Sequence, residues 1–147
     1  MNFKRETFHK IFDEVIPLLK AHYLEIAHYK DIELDVDVEG YLLAEERGCY
    51  RVYTARCNQN KLIGYAAFFV RNNLHYKQSL QAVQDVVYID KAQRGFGRLF
   101  IQWCDDRLRE EGVQVVMHHL KAAHNWGKIL EEQGYDLQDL IYTKRLD

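Results

Sequence analysis

Helix-like and strand-like patterns of apolar residues alternate along the chain. Helices are expected at 9–26, where apolar residues recur at positions 11, 12, 15, 19, 23 and 26, then at 38–47 before Gly48, at 99–112 and at 123–133. Strands are expected at 2–8, 49–56, 61–71, 80–89, 113–119 and 139–146, because these runs are rich in β-branched, aromatic and other apolar residues. This alternation predicts an α/β domain in which helices flank a mixed sheet.

Composition and charge narrow the class of protein. A chain of 147 residues is expected to form a single domain, 1–147, with a substantial core. The net charge of −2 argues against a protein that depends on phosphate contacts with nucleic acid. No apolar run approaches the ~20 residues of a membrane span, and the first residues lack the pattern of a signal peptide. Three cysteines without a Cys-x-x-Cys pair indicate reduced thiols, so a cytoplasmic location is expected.

The functional prediction depends on a strand, a glycine loop and a helix that follow one another in residues 84–108. The apolar run 86–89 is expected to end a strand, and the loop 94–98 has the sequence Arg-Gly-Phe-Gly-Arg. A helix that begins directly after such a loop presents free backbone N–H groups to a phosphate. The Rossmann fingerprint is incomplete, because Phe100 stands where the third glycine belongs, and the Walker A sequence is absent. The alternative is a tight turn whose arginines face solvent.

The same loop resembles the acyl-CoA motif of the GNAT N-acyltransferases, Gln/Arg-x-x-Gly-x-Gly/Ala at a strand-to-helix junction. Gly95-Phe96-Gly97 matches the motif, whereas its first position falls on Ala92 with Gln93 and Arg94 adjacent. Asn125 and the later run Leu130-Glu131-Glu132-Gln133-Gly134-Tyr135 are similar to the closing helix of that family. The resemblance covers residues 61–146 best. It is greatest to small GNAT proteins of bacteriophages and prophages, through Leu74-His75-Tyr76, Asp85 and His119-x-Lys121-x-x-His124.

This resemblance implies a fold, an activity and a cofactor site. The implied fold is a twisted, mostly antiparallel mixed sheet flanked by helices, with acyl-CoA bound where two strands splay apart. The implied reaction transfers an acetyl group from acetyl-CoA to a primary amine of a small molecule or protein, without a metal. The implied cofactor-binding residues are Asp85, Val86, Val87, Gln93, Arg94, Gly95, Phe96, Gly97, Arg98 and Asn125, with an N–H in 86–88 as oxyanion donor. The alternative is a CoA-binding module with reduced catalysis.

Two residues are candidates for the catalytic base that deprotonates the acceptor ammonium. An imidazole titrates near neutrality, and His119 lies close to where the thioester would be bound, although its neighbour His118 is expected to point to the opposite face. Asp85 is the second candidate, because an acid among apolar strand residues is costly unless it is paired or functional. The alternative for His119 is a surface histidine without a catalytic role. The alternative for Asp85 is a structural ion pair with a lysine or arginine. The family often has a tyrosine as general acid where this chain has Leu130.

The segment 28–39 carries acids on alternate residues and is expected to be a loop. It lacks the central glycine and the final glutamate of an EF-hand, so calcium binding is not expected. One interpretation is a solvated loop in which Asp37 caps the next helix. In the GNAT fold, however, this connection walls the acceptor site, so the resemblance implies that these acids attract a cationic amine. The sequence also leaves open whether the protein forms a homodimer.

Overall fold

The computed structural model describes residues 1–147 as five strands and four helices. The strands are β1 (Asn2–Glu6), β2 (Tyr50–Arg56), β3 (Leu62–Asn72), β4 (Leu80–Ile89) and β5 (Val115–Met117). The helices are α1 (Phe8–Ile26), α2 (Val38–Glu46), α3 (Gly97–Glu110) and α4 (Gly127–Glu131), with short 3₁₀ turns at Lys91–Gln93 and Ala122–His124. None of the helices combines the length and the apolar character that crossing a membrane requires.

All five strands form one sheet in the order β1-β2-β3-β4-β5. The first four strands are antiparallel to their neighbours, and β5 joins β4 in parallel through only three residue pairs, from Gln81–Val115 to Val83–Met117. This arrangement confirms the predicted mixed, mostly antiparallel sheet flanked by helices. The parallel pair needs a long crossover, which α3 supplies.

Each face of the sheet is covered by different helices. On one face α1 and α2 pack against β2, β3 and β4, where α1 buries Phe8, Ile11 and Val15. On the other face α3 buries Phe100, Cys104 and Leu108. Because β3 and β2 lie between these two cores, their residues are buried almost continuously, as the apolar run 61–71 predicts.

Helix caps appear where the sequence indicates them. The Asp37 carboxylate accepts a hydrogen bond from the Gly40 N–H at 2.9 Å and caps α2, as one interpretation of the acidic loop predicts. Thr7 caps α1 in the same way through the Lys10 N–H. The main chain turns into the next strand at Gly48, whose φ of +73° favours glycine.

The C-terminal part of the chain differs from the prediction. No strand forms at 139–146, where Leu140, Ile141 and Tyr142 are exposed. The side chain of Arg145 forms ion pairs with Asp31 and Asp147, so the tail lies against the loop between α1 and α2 and does not extend the sheet. An apolar run produces a strand only where a sheet edge pairs with it, which a short sequence pattern does not reveal.

Two further elements are shorter than predicted. Helix α4 begins at Gly127, because the Asn125 side chain accepts the Gly127 N–H at 2.8 Å and residues 122–124 form a 3₁₀ turn instead. Strand β5 ends at Met117, so His118 and His119 follow the strand instead of ending it. Both differences enlarge the irregular segment between β5 and α4.

A buried ion network joins β1, α1 and β2. The guanidinium of Arg56, which is 5% exposed, contacts the carboxylates of Glu6 and Glu14 at 2.8 Å each. Burial raises the pKa of Glu6, but hydrogen bonds from Arg56 and Thr54 outweigh it and leave that pKa below its ordinary value. The hydrogen bond from Arg56 likewise lowers the pKa of Glu14. Both carboxylates are therefore held in the ionised form by the folded protein.

We expect the free energy of unfolding to fall as the pH drops below about 4.5, where glutamates of the unfolded chain begin to protonate. The lowered pKa values of Glu6 and Glu14 mean that their stabilisation is complete above the unfolded pKa and is lost as pH falls through the folded pKa. The loss should be on the order of 1–2 kcal/mol, most of it from Glu6, because Glu14 is half exposed. Urea unfolding at a series of pH values measures it. Glu6→Gln should remove most of the pH dependence and Glu14→Gln a smaller part, whereas Glu33→Gln, an exposed control, should leave it unchanged. A Glu6→Gln curve as steep as that of the unaltered protein would contradict the prediction.

Candidate functional site

A cavity of about 860 Å³ opens where β4 and β5 part. The two strands pair only as far as Val83 and Met117, and beyond that point no backbone–backbone hydrogen bond joins the two segments. The walls are the second half of β4, the loop 94–98, the segment 119–126 and the end of α1. The strand parting therefore places the glycine loop and His119 around one space.

Gln84 closes the end of this opening. Its amide N–H donates to the His119 carbonyl at 3.3 Å, and its carbonyl accepts from His118 Nδ1 at 2.7 Å. These bonds replace the backbone ladder that ends at Val83. Gln84 thus fixes the segment after β5 at a set distance from β4.

A β-bulge redirects the main chain of β4 along the cavity. The pairing of β3 with β4 shifts between Ala67 and Phe68, which leaves Asp85 as the extra residue of β4. Beyond the bulge the Asp90 N–H bonds to the Ile63 carbonyl of β3 at 2.8 Å. Because successive residues of a strand direct their backbone groups to opposite edges, the N–H and C=O of Val87 point away from β3 and toward the cavity.

The glycine loop ends at the exposed N-terminus of a long helix. Gly95 has a φ of +132°, which residues with a side chain rarely adopt. Gly97 is the first residue of α3, and a Cβ there would meet only the Ile89 side chain, at 3.5 Å. No side chain caps this helix, so the N–H groups of its first turn are available to an anion.

The charged residues of the loop are engaged in ion pairs. Arg94 contacts both carboxylate oxygens of Glu25 at 2.8 and 3.0 Å and donates through Nε to the Ile89 carbonyl, which fixes its position beside the cavity. Arg98 pairs with Glu132. Lys121 also lines the cavity and forms no salt bridge. The charges of Arg94 and Arg98 are therefore offset by Glu25 and Glu132, and Lys121 supplies a positive charge without a carboxylate partner.

The structure divides the cofactor-binding residues that the resemblance implies into two groups. Seven of them line the cavity, namely Asp85, Val87, Arg94, Gly95, Gly97, Arg98 and Asn125. The other three do not: Val86 and Phe96 have buried side chains in the two cores, and Gln93 lies in the 3₁₀ turn. Phe96 packs against Phe3 and Phe100, so only its main chain is available to a ligand.

The two adjacent histidines have opposite environments. His118 packs against Phe68, Trp126 and Tyr135, and burial lowers its pKa to about 4. His118 is therefore neutral at pH 7. His119 is exposed and lines the cavity. Of the two, His119 is the residue whose imidazole can exchange protons with a molecule in the cavity.

Asp85 is paired with tyrosines instead of with a lysine or arginine. The hydroxyls of Tyr41 and Tyr50 donate to the same oxygen, Oδ2, at 2.9 and 2.8 Å. Burial and the nearby carboxylate raise the pKa of Tyr41 and Tyr50 well above the ordinary value, so both stay protonated donors. The structural alternative of an ion pair with a basic residue is therefore wrong, and Asp85 is one of the residues that line the cavity.

Sequence reasoning missed the contribution of α1 and α2. His22 and Glu25 line the cavity, and the ring of His22 lies against Tyr88 at 5.0 Å. Burial lowers the pKa of His22. A signal existed, since both residues continue the helical stripe of Ile11 and Val15 that faces the sheet, and polar residues on a buried stripe indicate a site. Tyr41 and Tyr50 had no comparable signal.

Tyr76, Tyr135 and Tyr142 lie outside the cavity, so none of them replaces the tyrosine acid that the family often has at the position of Leu130. Leu130 fills a buried position in α4. The Tyr135 hydroxyl donates to Asp105 at 2.7 Å outside the cavity, and Tyr76 and Tyr142 are exposed. The tyrosine that does line the cavity is Tyr88. Nowhere do three or more histidine, cysteine or acidic side chains come together as a metal site would require.

A mixed sheet that splays beside a glycine loop and a helix N-terminus is the fold of the GNAT acetyltransferases. The chain is similar in structure to an aminoglycoside acetyltransferase from an uncultured soil metagenomic sample, with a TM-score of 0.74 and 16% identity over 99% of this chain and 96% of that one. A ribosomal-protein-alanine N-acetyltransferase from Brucella melitensis biovar Abortus 2308 has a TM-score of 0.71 and 17% identity over 99% and 100%.

A predicted acetyltransferase from Clostridium acetobutylicum, in a structure with acetyl-CoA, has a TM-score of 0.72 and 14% identity over 99% of this chain and 96% of that one. No protein-family model and no curated protein sequence matches the chain. At these identities the comparisons establish the fold, and the particular resemblance to phage-borne proteins stays a prediction.

Proposed function

We propose that this protein is an N-acyltransferase that uses an acyl-CoA, with acetyl-CoA as the expected donor. The observation that carries the proposal is the cavity between the parted ends of β4 and β5, which meets the uncapped N-terminus of α3. An anionic pyrophosphate and a long polar chain both find partners there. The structural neighbours support the proposal, since they are acetyltransferases and one contains acetyl-CoA.

The residues present suit the CoA moiety from its phosphates to its thiol. The first-turn N–H groups of α3 and the side chains of Arg98 and Lys121 would hold the pyrophosphate. Gly97 permits close approach, because a side chain there would occupy the space at the helix start. The pantetheine chain would follow the free edge of β4, and Asn125, whose side-chain oxygen accepts the Gly127 N–H, lines the same cavity with its NH₂ group as the remaining donor.

The chemical step needs a donor for the carbonyl oxygen and a base for the amine. The Val87 N–H points into the cavity and would stabilise the negative charge that develops on the thioester oxygen. The acceptor nitrogen forms the new bond to the carbonyl carbon while the C–S bond breaks, and the thiolate leaves with the electron pair. His119 would take the proton from the amine, with Asp85 on the same cavity as the second candidate.

Calorimetric titration with CoA and acetyl-CoA tests the binding half of this proposal, with NAD and ATP as comparison ligands. We expect saturable one-to-one binding of both CoA compounds and none of NAD, because the cavity follows the β4 edge and is not built on a Rossmann fingerprint. Release of free thiol from acetyl-CoA in the presence of amines tests the catalytic half. Failure of both CoA compounds to bind would refute the proposal.

The alternative is a CoA-binding module without catalysis, which one observation favours. The position of the usual tyrosine acid is Leu130, which is buried and has no proton to donate. The alternative predicts tight CoA binding and no thiol release above the rate of spontaneous hydrolysis with any amine. The two functions are thus separated by a single spectrophotometric assay on protein that binds CoA.

A further inference from the structure

The segment that follows β5 is held by a single side chain of the neighbouring strand. Residues 118–120, which include the candidate base His119, take part in no backbone–backbone hydrogen bond. Both hydrogen bonds that reach this segment come from the carboxamide of Gln84. Its NH₂ group donates to the His119 carbonyl at 3.3 Å, and its oxygen contacts Nδ1 of His118 at 2.7 Å. The place of His119 in the cavity wall therefore depends on Gln84.

These two contacts assign the orientation of the carboxamide and the tautomer of His118. A main-chain carbonyl only accepts hydrogen bonds, so the part of the carboxamide that faces the His119 carbonyl is the NH₂ group. The carboxamide oxygen then faces His118, and the imidazole donates to it through Nδ1–H. Burial lowers the pKa of His118 to about 4, so the ring is neutral at pH 7 and carries no second hydrogen.

The other ring nitrogen of His118 supports this tautomer. Nε2 is buried and forms no hydrogen bond. A buried polar atom without a partner destabilises a fold, so native proteins contain few of them. The opposite tautomer would leave an N–H group unpaired at the same place and would also remove the donor to Gln84. The tautomer with hydrogen on Nδ1 is therefore the more favourable one, because it retains the bond to the carboxamide.

Aromatic rings from three parts of the chain fix the imidazole of His118. Its centroid lies 5.6 Å from the ring of Phe68 in β3, 5.8 Å from Trp126 and 5.2 Å from Tyr135. The hydroxyl of Tyr135 donates in turn to the carboxylate of Asp105 in α3 at 2.7 Å. Side chains packed in this way have little room to move, so the imidazole is a fixed anchor for the carboxamide that it contacts.

The carboxamide constrains the main chain on both sides of the His119 side chain. It binds the carbonyl of His119 itself and the ring of the residue before it. Gln84 is the last residue of β4 before the β-bulge, and both Gln84 and His119 line the cavity. The imidazole of His119 is therefore held at a set distance from the strand edge along which the thioester would lie.

We propose that Gln84 is a positioning residue of the acyl transfer, which holds the imidazole of His119 where it can take the proton of the acceptor. This inference rests on the proposed N-acyltransferase function and adds a residue to its machinery. Both polar groups of the carboxamide are bound by the protein, so Gln84 acts through His119 and not on the reacting atoms. A displacement of a catalytic group by about 1 Å can lower the rate by about 100-fold.

The first test measures the tautomer of His118 and needs no substrate. Nitrogen-15 NMR of the imidazoles shows which ring nitrogen carries the hydrogen. We expect Nδ1–H for His118 in the unaltered protein. Gln84→Met keeps the length of the side chain but removes both polar groups, so this preference should be lost. An Nε2–H tautomer in the unaltered protein would overturn the inference.

The second test compares kcat for thiol release from acetyl-CoA in Gln84→Met and in a matched control, Gln81→Met. Gln81 lies on the same strand, forms two side-chain hydrogen bonds and is not part of the cavity wall. Gln84→Met should lower kcat by roughly 10–100-fold while Kd for CoA stays within about a factor of two. Gln81→Met should change neither. The acceptor is the fastest of 1,4-diaminobutane, Nα-acetyl-lysine methylamide and glucosamine 6-phosphate.

Two further variants separate the two contacts of Gln84. Gln84→Glu keeps the shape but places an oxygen against the His119 carbonyl, so kcat should fall about as far as in Gln84→Met. His118→Phe keeps an aromatic ring and removes the donor to the carboxamide, so kcat should fall by only roughly 3–10-fold, the usual effect of one hydrogen bond. The double variant of Gln84→Met and His118→Phe should be no slower than Gln84→Met alone, because the two residues act as a unit.

Four outcomes overturn the inference while the proposed function stands. An unchanged kcat in folded Gln84→Met would show that the base does not need the carboxamide. An equal loss in Gln81→Met would make the effect one of sheet stability. A rise in Kd for CoA as large as the fall in kcat would assign Gln84 to cofactor binding, and additive losses in the double variant would show that His118 acts separately. Failure of the unaltered protein to bind CoA or to release thiol would instead refute the proposed function, and the inference with it.

Discussion

Replacing Gly97 by glutamate is expected to weaken CoA binding by about 100-fold or more while the protein stays folded. Gly97 is the first residue of α3, and a Cβ there would contact only one side chain, at 3.5 Å, so the fold tolerates the substitution. The new carboxylate would lie where the helix N–H groups are free and would repel the pyrophosphate. The loss of two charge-assisted hydrogen bonds, about 1.5–3 kcal/mol each, accounts for the factor.

Gln102→Glu is the matched control for this experiment. It places the same charge on an exposed position of the same helix, one turn beyond the site. Gly95→Glu is a poorer probe, because a φ of +132° would strain any side chain and confound binding with folding. Calorimetric titration with CoA gives the affinities, and thermal unfolding confirms that each variant is folded. Unchanged affinity in folded Gly97→Glu would remove the loop from the phosphate site.

The sheet was predictable because its strands carry strong local signals. The run Leu62–Asn72 is apolar on both faces and lies between two cores, and Leu80–Ile89 combines β-branched residues with the motif that follows it. The loop of Gly95 and Gly97 could be assigned to a strand-to-helix junction for the same reason. Elements whose structure depends on neighbouring residues can thus be predicted from a single sequence.

The elements and contacts that sequence reasoning missed depend on residues far apart in the chain. The run at 139–146 has the composition of a strand, but Arg145 pairs with Asp31 and the segment joins no strand of the sheet. The partners of Asp85 come from α2 and β2, more than thirty residues earlier. Periodicity reports whether a residue is buried but not which distant hydroxyl it meets.

The bulge at Asp85 shows why the site was only partly predictable. The resemblance implied that an N–H within 86–88 would stabilise the oxyanion, but a strand read as regular does not say which one. The register shift between Ala67 and Phe68 determines which residues of β4 direct their backbone groups away from β3. The main chain of Val87 therefore faces the cavity, whereas the side chain of Val86 is buried in the core beneath α1 and α2. One inserted residue reverses which edge of the strand the backbone groups of each later residue face. Only the pairing with β3 reveals where that residue is inserted.

His119→Ala is expected to lower kcat by ~10²–10⁴-fold, the usual contribution of a positioned general base. A primary amine with a pKa of ~10.4 is over ~99% protonated at pH 7, so removal of its proton is the larger demand of the reaction. His119 lines the cavity and is exposed, whereas the pKa of His118 is lowered to about 4 and its ring is held by Gln84. The departing thiolate needs less assistance, since a thiol has a pKa of ~8.5.

The pH profile distinguishes this role from a structural one. The unaltered enzyme should lose activity on the acidic side of its pH profile, because a protonated imidazole cannot accept the amine proton. His119→Ala should remove that limb, whereas His75→Ala, which changes an exposed histidine outside the cavity, should keep both the limb and the rate. A fully active His119→Ala enzyme with an intact limb would exclude His119 as the base. Asp85→Asn, measured for kcat across the same pH range, would then show whether the carboxylate takes the proton or whether water does.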